Sequence, residues 1–551
     1  MKIGILIKDY NDLLNWELRI INRILKDPQL KLSLLIKDGR LAHKHSNSKN
    51  RTLKHNFLSK DILNKALFKI QIYIEKKIFK EELTVDKKKI IKVLKNTPTI
   101  ELNPTEEGDL NIFSNKDAKK IEPFKLDIIL KHEFNIIRGP ILRSAKYGIW
   151  SFHHGDSAIN QGGSIAFWEI FRKDKTIEVT LKQLNSQFDV DLVIEKGFYN
   201  IHWSSVNASL MAREASISIL FKNIRRLKAG NYTPKKLFLN YRYTYKTPNF
   251  ITILNYMIKF YKKLLNKAIE SVGAKIFGIR YNCYTIFIGK GQFMNSTLSE
   301  LKPVKLPKYE YWADPFIFKY KNKNYVFFEN YSYITKKGKI SCGLIKKGNL
   351  VKISDVLDLD YHLSFPYIFE ENGIIYLMPE ASGNNRLEIF RCIEFPNKWE
   401  LHSTAFENEK VADAFFFNDK NNDKWLFVNK KANIKNIQLD SELYIYRVDS
   451  LSLKKIEPHK QNPVIINSAL ARNGGSIFSY GNDIYRPSQA NIRGDYGKAL
   501  NINKIEKLTL NHYIERNIKT VYPNFNRKLK SMHHLHQTDE LFVFDATYKK
   551  L

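Results

Sequence analysis

Cysteine is scarce in this 551-residue chain: Cys283, Cys342 and Cys392 are widely spaced and form no Cys-x-x-Cys pair. That excludes a disulfide framework and a thiolate zinc or redox motif, and fits a reducing, cytoplasmic compartment. With 24 glycines, 17 prolines and 43% hydrophobic residues, collagen-like and low-complexity classes are excluded too. The length predicts two or three domains, each able to bury a core. Long apolar runs are missing. Ile3 to Ile7 stops at Lys8, shorter than a signal-peptide core, so secretion is not expected. The stretch 250–272 is broken by Lys259, Lys262, Lys263 and Lys267, so no membrane span is expected.

Acidic residues are the other deficit: 56 Asp+Glu against 90 Lys+Arg give a net charge of +34. Such a surplus suits an anionic partner, or else a diffuse solvated surface produced by Lys-rich composition. No arginine block with interleaved aromatics marks a nucleic-acid groove, so no specific nucleic-acid partner is expected. An anionic membrane surface or a phosphorylated acceptor is expected instead, met by lysines along Lys87 to Lys95 and Lys259 to Lys267. The expected location is cytoplasmic, peripheral at the inner membrane face.

Ile3–Ile7, the helical pattern Trp16 to Ile24 and Leu32–Ile36 read as strand, helix, strand, the start of an open parallel α/β sheet. Lys125 to Leu130 reads as a further strand, 136–146 as helical, and Gly148 to Phe152 as a strand running into His153 and His154. The stretch 250–272 reads as a connecting helix at a domain junction, with an interfacial membrane helix as the alternative. From about residue 283, short aromatic strands take over. One pattern recurs five times at roughly 50 to 60 residues: a small or polar opening, an apolar strand, a polar turn and a second apolar strand. Its copies begin near Ala313, Phe365, Ala412, Gly474 and His534, which predicts a five-bladed β-propeller. The expected fold is multidomain, α/β plus all-β: residues 1–245 an open parallel-sheet domain, 246–282 the connecting helix, 283–551 the propeller.

His153 at a strand end, with Asp189 delivered by a later segment, is the minimum for a general base held in one orientation. Gly162 follows the histidine by nine residues and Asp189 by 36, around the apolar pattern Ile165 to Phe171. In these residues, segment 148–193 resembles the core of the folate-dependent formyltransferase family. The resemblance implies that His153 and Asp189 handle protons, and that the loop Ile137, Arg138, Gly139 and Pro140 contacts 10-formyltetrahydrofolate as cofactor. Ser151 stands where that family carries an Asn that donates to the oxyanion, with His154 as a substitute donor.

Residues from about 285 resemble the propellers of the family-43 glycoside hydrolase clan and the N-terminal-like domain of glucosamine inositolphosphorylceramide transferases. The likeness rests on Trp312-Ala-Asp-Pro-Phe316, Ser364-Phe-Pro-Tyr367, Met378-Pro-Glu380, Ala412-Asp413, Ala471-Arg472-Asn-Gly-Gly475 and Tyr485-Arg486. It implies a sugar-binding ring built from Asp314, Glu380, Asp413, Arg472 and Arg486, joined by His534, and no metal. Together these readings predict an N-formyltransferase-like enzyme acting on an amino sugar or nucleotide sugar in surface polysaccharide or glycolipid biosynthesis. The alternative is a carbohydrate-binding propeller protein, or glycosidase, attached to an inactive transferase domain.

Overall fold

The computed structural model describes the chain apart from residues 41–59, 82–84, 109, 133, 135, 156–164, 187–189, 239–247, 432–440 and 551. It divides into two compact units, Met1–Gly197 with His202–Phe260, and Phe198–Ile201 with Tyr261–Leu551.

The first unit is built on an eight-stranded sheet. Its order is Lys235–Phe238, Val190–Asn200, Thr176–Gln183, Ile149–His154, Ile128–Lys131, Lys2–Ile7, Lys31–Asp38, Thr99–Leu102. The last five pair in parallel, but Thr176–Gln183 runs antiparallel to Ile149–His154, and Lys235–Phe238 antiparallel to Val190–Asn200. The expected open parallel sheet is therefore a mixed one. Ile3 to Ile7 and Ile128 to Leu130 are continuous apolar runs suited to burial on both faces, whereas in Thr176–Gln183 the apolar Ile177, Val179 and Leu181 alternate with polar residues, a pattern more usual in antiparallel strands.

Helix Asn15–Lys26 buries Trp16, Leu18, Ile20, Ile21 and Ile24, and Glu17 caps its start by accepting from the Leu14 amide at 2.8 Å. Helix Ser205–Lys228 begins over the buried Glu75, whose carboxylate accepts from Ser204 Oγ at 2.5 Å and from the Val206 amide at 3.2 Å. Residues 136–146, expected to be helical, form the strand Ile136–Arg138 and a 3-10 turn at Pro140–Arg143. Gly139 and Pro140 explain the difference. Gly139 has φ of 98°, and a Cβ there would lie 2.1 Å from the Phe113 carbonyl oxygen.

From Tyr281 onward the second unit is built of strands and short 3-10 turns, with five antiparallel sheets of four or five strands among the described residues. Four follow one another along the chain, over 310–357, 364–405, 410–466 and 478–521. The fifth joins Tyr281–Lys290 to Leu541–Lys550, with Leu529–Ser531 and Leu535–Gln537 beside the latter. Three of the repeats share one distortion. The register slips between Ala313 and Phe316, between Ser364 and Tyr367, and between Ala412 and Phe415. At each slip one non-glycine residue is left-handed: Asp314 (φ 51°), Phe365 (φ 46°) and Asp413 (φ 49°). Bulges of this kind re-aim a side chain out of the ladder, and such strain concentrates at functional positions.

Candidate functional site

In the first unit, Ser151, His153 and His154 all lie within the strand Ile149–His154, whose alternation puts Ser151 and His153 on one face and His154 on the other. His154 faces the long helix: its Nε2 lies 2.9 Å from Ser216 Oγ, and its ring packs edge-on against Trp16 at 5.7 Å. Burial, then Arg213 and His153, push its pKa down to about 3. This corrects the expectation that His154 substitutes for a donor beside Ser151, because the two side chains are on opposite faces of one strand. Asp189 and Gly162 lie outside the described residues.

Ile137 is buried, and Arg138 donates to the Ile137 and Asn185 carbonyls. Gly139 and Pro140 line a cleft of about 630 Å³ with Asn115, Lys119, Arg143 and Asn185, and neither His153 nor His154 reaches it. Unforeseen from sequence, Lys131 ends the central strand Ile128–Lys131 beside Lys8 and Lys182. Burial and the two neighbouring ammonium groups bring its pKa down to about 8.

In the second unit two of the bulge residues, Asp314 and Asp413, belong to a buried cluster of charged side chains. The Asp314 amide donates to Asp545 Oδ2 at 2.9 Å, and Asp314 Oδ2 accepts from the Phe365 amide at 3.2 Å. Asp545 Oδ1 accepts from the amides of His533 and His534, at 3.3 and 3.1 Å, and lies 2.7 Å from His533 Nδ1. His533 Nε2 and His534 Nδ1 each stand 3.6 Å from Asp314 Oδ1. His533 stacks on Tyr284 at 4.6 Å, while His534 meets Phe316 and Phe365 edge-on.

Alongside, Arg472 donates to Asp413 at 2.6 Å, approaches Glu380 at 3.8 Å and lies over the Tyr496 ring at 4.9 Å. Glu329, also buried, accepts from Tyr311 at 3.2 Å. The structure thus brings together four of the five expected sugar-ring residues, Asp314, Glu380, Asp413 and Arg472. It adds Asp545, His533, Glu329, Tyr284 and Tyr496, which sequence reasoning missed.

Arg486 is the exception. It is fully buried, and its guanidinium donates to both Glu515 oxygens, to the Ala471 and Leu470 carbonyls and to Asn473 Oδ1. All its donors are used, so the expectation of a sugar contact is corrected: Arg486 fixes the segment that carries Arg472.

Electrostatics follow from burial. Asp314 is pushed up to about 7, first by burial and then by Asp545, Asp413 and Glu380, with His533 opposing. Glu329 is pushed well above the carboxylate range by burial and by Asp314. Burial alone would lower His533, but the attraction of Asp545 raises it, whereas burial and the neighbouring His533 drive His534 well down. Burial and the surrounding carboxylates thus raise Asp314, and Asp545 raises His533, the kind of environment in which acid–base groups are found.

Asp314, His533 and Asp545 also offer three ligand atoms within 4.8 Å of one another. Asp545, however, already accepts from three backbone amides and the His533 ring. Its lone pairs are spent on the protein, so the donor set fits a hydrogen-bonded hub better than a cation cage.

Residues 299–540 match the family described as glucosamine inositolphosphorylceramide transferase 1, N-terminal. Glucosamine inositolphosphorylceramide transferase 1 of Arabidopsis thaliana is 32% identical over 207 residues, covering 37% of this chain and 26% of its own length. The protein of that name in Oryza sativa subsp. indica is 32% identical over 207 residues, covering 37% and 27%. The chain thus spans about a quarter of the length of the curated relatives it matches.

Among solved structures, a thermostable family-43 glycoside hydrolase is similar over 43% of this chain and 88% of its own, at 14% identity and TM-score 0.31. Glycinamide ribonucleotide transformylase 1 from Symbiobacterium toebii is similar over 44% and 94%, at 12% identity and TM-score 0.28. At these scores neither likeness assigns an activity or a ligand.

The curated relatives correct the functional expectation. Each carries the name glucosamine inositolphosphorylceramide transferase 1, and nothing in that name involves formyl transfer, folate or surface polysaccharide. The N-formyltransferase reading and its 10-formyltetrahydrofolate cofactor are therefore set aside, as is the alternative of a binding protein or glycosidase with an inactive transferase domain. The formyltransferase reading had rested on segment 148–193, whereas the family match lies at residues 299–540, in the second unit.

Proposed function

We infer that the protein acts in glycosyl transfer involving an inositolphosphoryl lipid, with the buried cluster of the second unit holding the sugar. The observation that carries this reading is that Asp314, Glu329, Glu380, Asp413, Arg472 and His533 all fall inside the segment matching the transferase family. Their chemistry agrees with a glucosamine-bearing ligand. With Asp545 the cluster holds five carboxyl groups against one guanidinium and two histidines, so it favours a protonated amine and hydroxyl donors. In this reading Asp314 with His533 serves as the acid–base pair, and Arg472 holds Asp413 and Glu380 toward the ligand.

The five sheets are taken as blades of one closed propeller. Supporting this are the recurring bulge in three of them and the final sheet, shared between Tyr281–Lys290 and Leu541–Lys550.

The test incubates the full protein with nucleotide-linked glucosamine and vesicles containing inositolphosphorylceramide, following label into lipid. Calorimetry with the glucosaminyl inositol phosphate headgroup tests the cluster separately from turnover. Headgroup binding that is lost in Asp314→Asn supports the reading. Absence of both transfer and headgroup binding by the unaltered protein would overturn it.

A further inference from the structure

The 28-residue helix Phe250–Phe277 is about 42 Å long at 1.5 Å per residue. Ile253, Tyr256 and Phe260 are buried and pack with Phe68 and Phe167. Beyond Phe260 the helix buries Gly273 alone, where a Cβ would lie 2.5 Å from the Tyr281 hydroxyl. Facing away from the buried side is a row of apolar side chains open to solvent: Ile251 (69% exposed), Leu254, Ile258, Leu265 (60%), Ile269 and Ile276 (70%). Their spacings of three, four and seven residues place them within an arc of roughly 60° on a helix that advances about 100° per residue. A solvent-facing row of this length is a surface that lacks its partner.

We propose that this row is a docking face for an anionic lipid bilayer, with the helix lying in the plane of the headgroups. Charge decides between the possible occupants. The helix carries Lys259, Lys262, Lys263, Lys267 and Lys275 against the single acid Glu270. Around the helical wheel, Lys262 and Lys259 fall on one side of the row and Lys275 on the other. A second copy of the chain seated on this face would bring like charges together on both flanks, whereas anionic headgroups neutralise them while the lysine stems reach along the apolar surface. Crossing the bilayer is a different matter: among the described residues no helix is long and apolar enough to do so. The inference stands apart from sugar binding, because the row shares no residue with the buried cluster.

Flotation of the full chain at low salt, with phosphatidylcholine vesicles with and without phosphatidylserine, tests it. These vesicles hold no inositol lipid or sugar, so the result does not depend on the proposed glycosyl transfer, and Asp314→Asn should float as the unaltered protein does. Binding is expected only with phosphatidylserine, and should fall by roughly tenfold or more in the double variant Leu265→Glu, Ile269→Glu. Lys262→Glu should weaken it by at least roughly fivefold. Both variants alter exposed side chains, so unchanged melting confirms that they fold. Failure to float with anionic vesicles, or equal flotation of the double variant, overturns the proposal. So does a dimer in sedimentation that Leu265→Glu dissociates while lipid binding is unaffected.

Discussion

Each unit contains a pair of consecutive histidines, and the two pairs meet opposite fates. His153 and His154 sit in a regular strand, so the pleat sends them to opposite faces; His154 is half-buried, packs against Trp16 and Ser216, and has its pKa pushed down to about 3. His533 and His534 lie in an irregular segment just before the strand Leu535–Gln537. Both of their amides reach Asp545 and both rings approach Asp314. One dipeptide thus splits across two faces of a strand in the first unit and gathers around two carboxylates in the second. What separates them is backbone regularity and the sign of the nearest charge, since His154 has Arg213 beside it and His533 has Asp545.

That contrast is sharpened most strongly at Arg486. Replacing it by Met leaves Glu515 buried without its partner and should cost the second unit about 3–5 kcal/mol, seen as a lower denaturation midpoint. The double change Arg486→Met, Glu515→Leu should recover most of the loss. A single variant as stable as the unaltered protein would mean that the segment carrying Arg472 is held by something else.

A middle-sized effect is expected from pH, with opposite signs in the two units. Asp314 has its folded pKa raised from 3.8 to about 7, so its contribution is complete below pH 3.8 and is lost as pH climbs through 7. The raised His533 acts in the same direction above pH 6.5. Lys131 is lowered from 10.5 to about 8, so its contribution is complete above pH 10.5 and is lost as pH falls through 8. Asp314→Asn should therefore raise the melting temperature of the second unit by several degrees at pH 8, though it abolishes headgroup binding. Lys131→Met should do likewise for the first unit at pH 7. Calorimetric scans of both variants across this range check the signs, and parallel pH profiles in the two units would break the comparison.

The smallest effect belongs to His154→Phe, which gives up one hydrogen bond to Ser216 and should cost about 1 kcal/mol. Headgroup binding should not change. A loss of binding in this variant would show that the first unit takes part in ligand recognition.

Much of this was legible in the residues. The opening strand and helix, the all-β second half and the openings at Asp314 and Asp413 are local patterns, carried by apolar periodicity and repetition within short windows. What stayed hidden depends on partners far along the chain. Arg486 looks like any strand arginine until Glu515 is found beside it across the ladder, and Asp545 is one polar residue inside the apolar strand Leu541–Lys550. Thr176–Gln183 alternates plainly, yet its direction is fixed only by the strand it joins. His533 was overlooked in favour of His534 because choosing between adjacent histidines requires knowing the backbone between them.

The pairing of Tyr281–Lys290 with Leu541–Lys550 sets a schedule for the newborn chain. At ribosomal rates of about 5–20 residues per second, the earlier strand emerges roughly 13 to 50 s before its partner has been made. Throughout that interval Ile286, Phe287 and Ile288, all buried in the finished protein, form an unpaired strand edge open to any other exposed edge nearby. Translation speed and chaperone supply should therefore govern the yield of this protein more than its final stability does, and a pulse–chase comparison of slow and fast synthesis would measure that dependence directly.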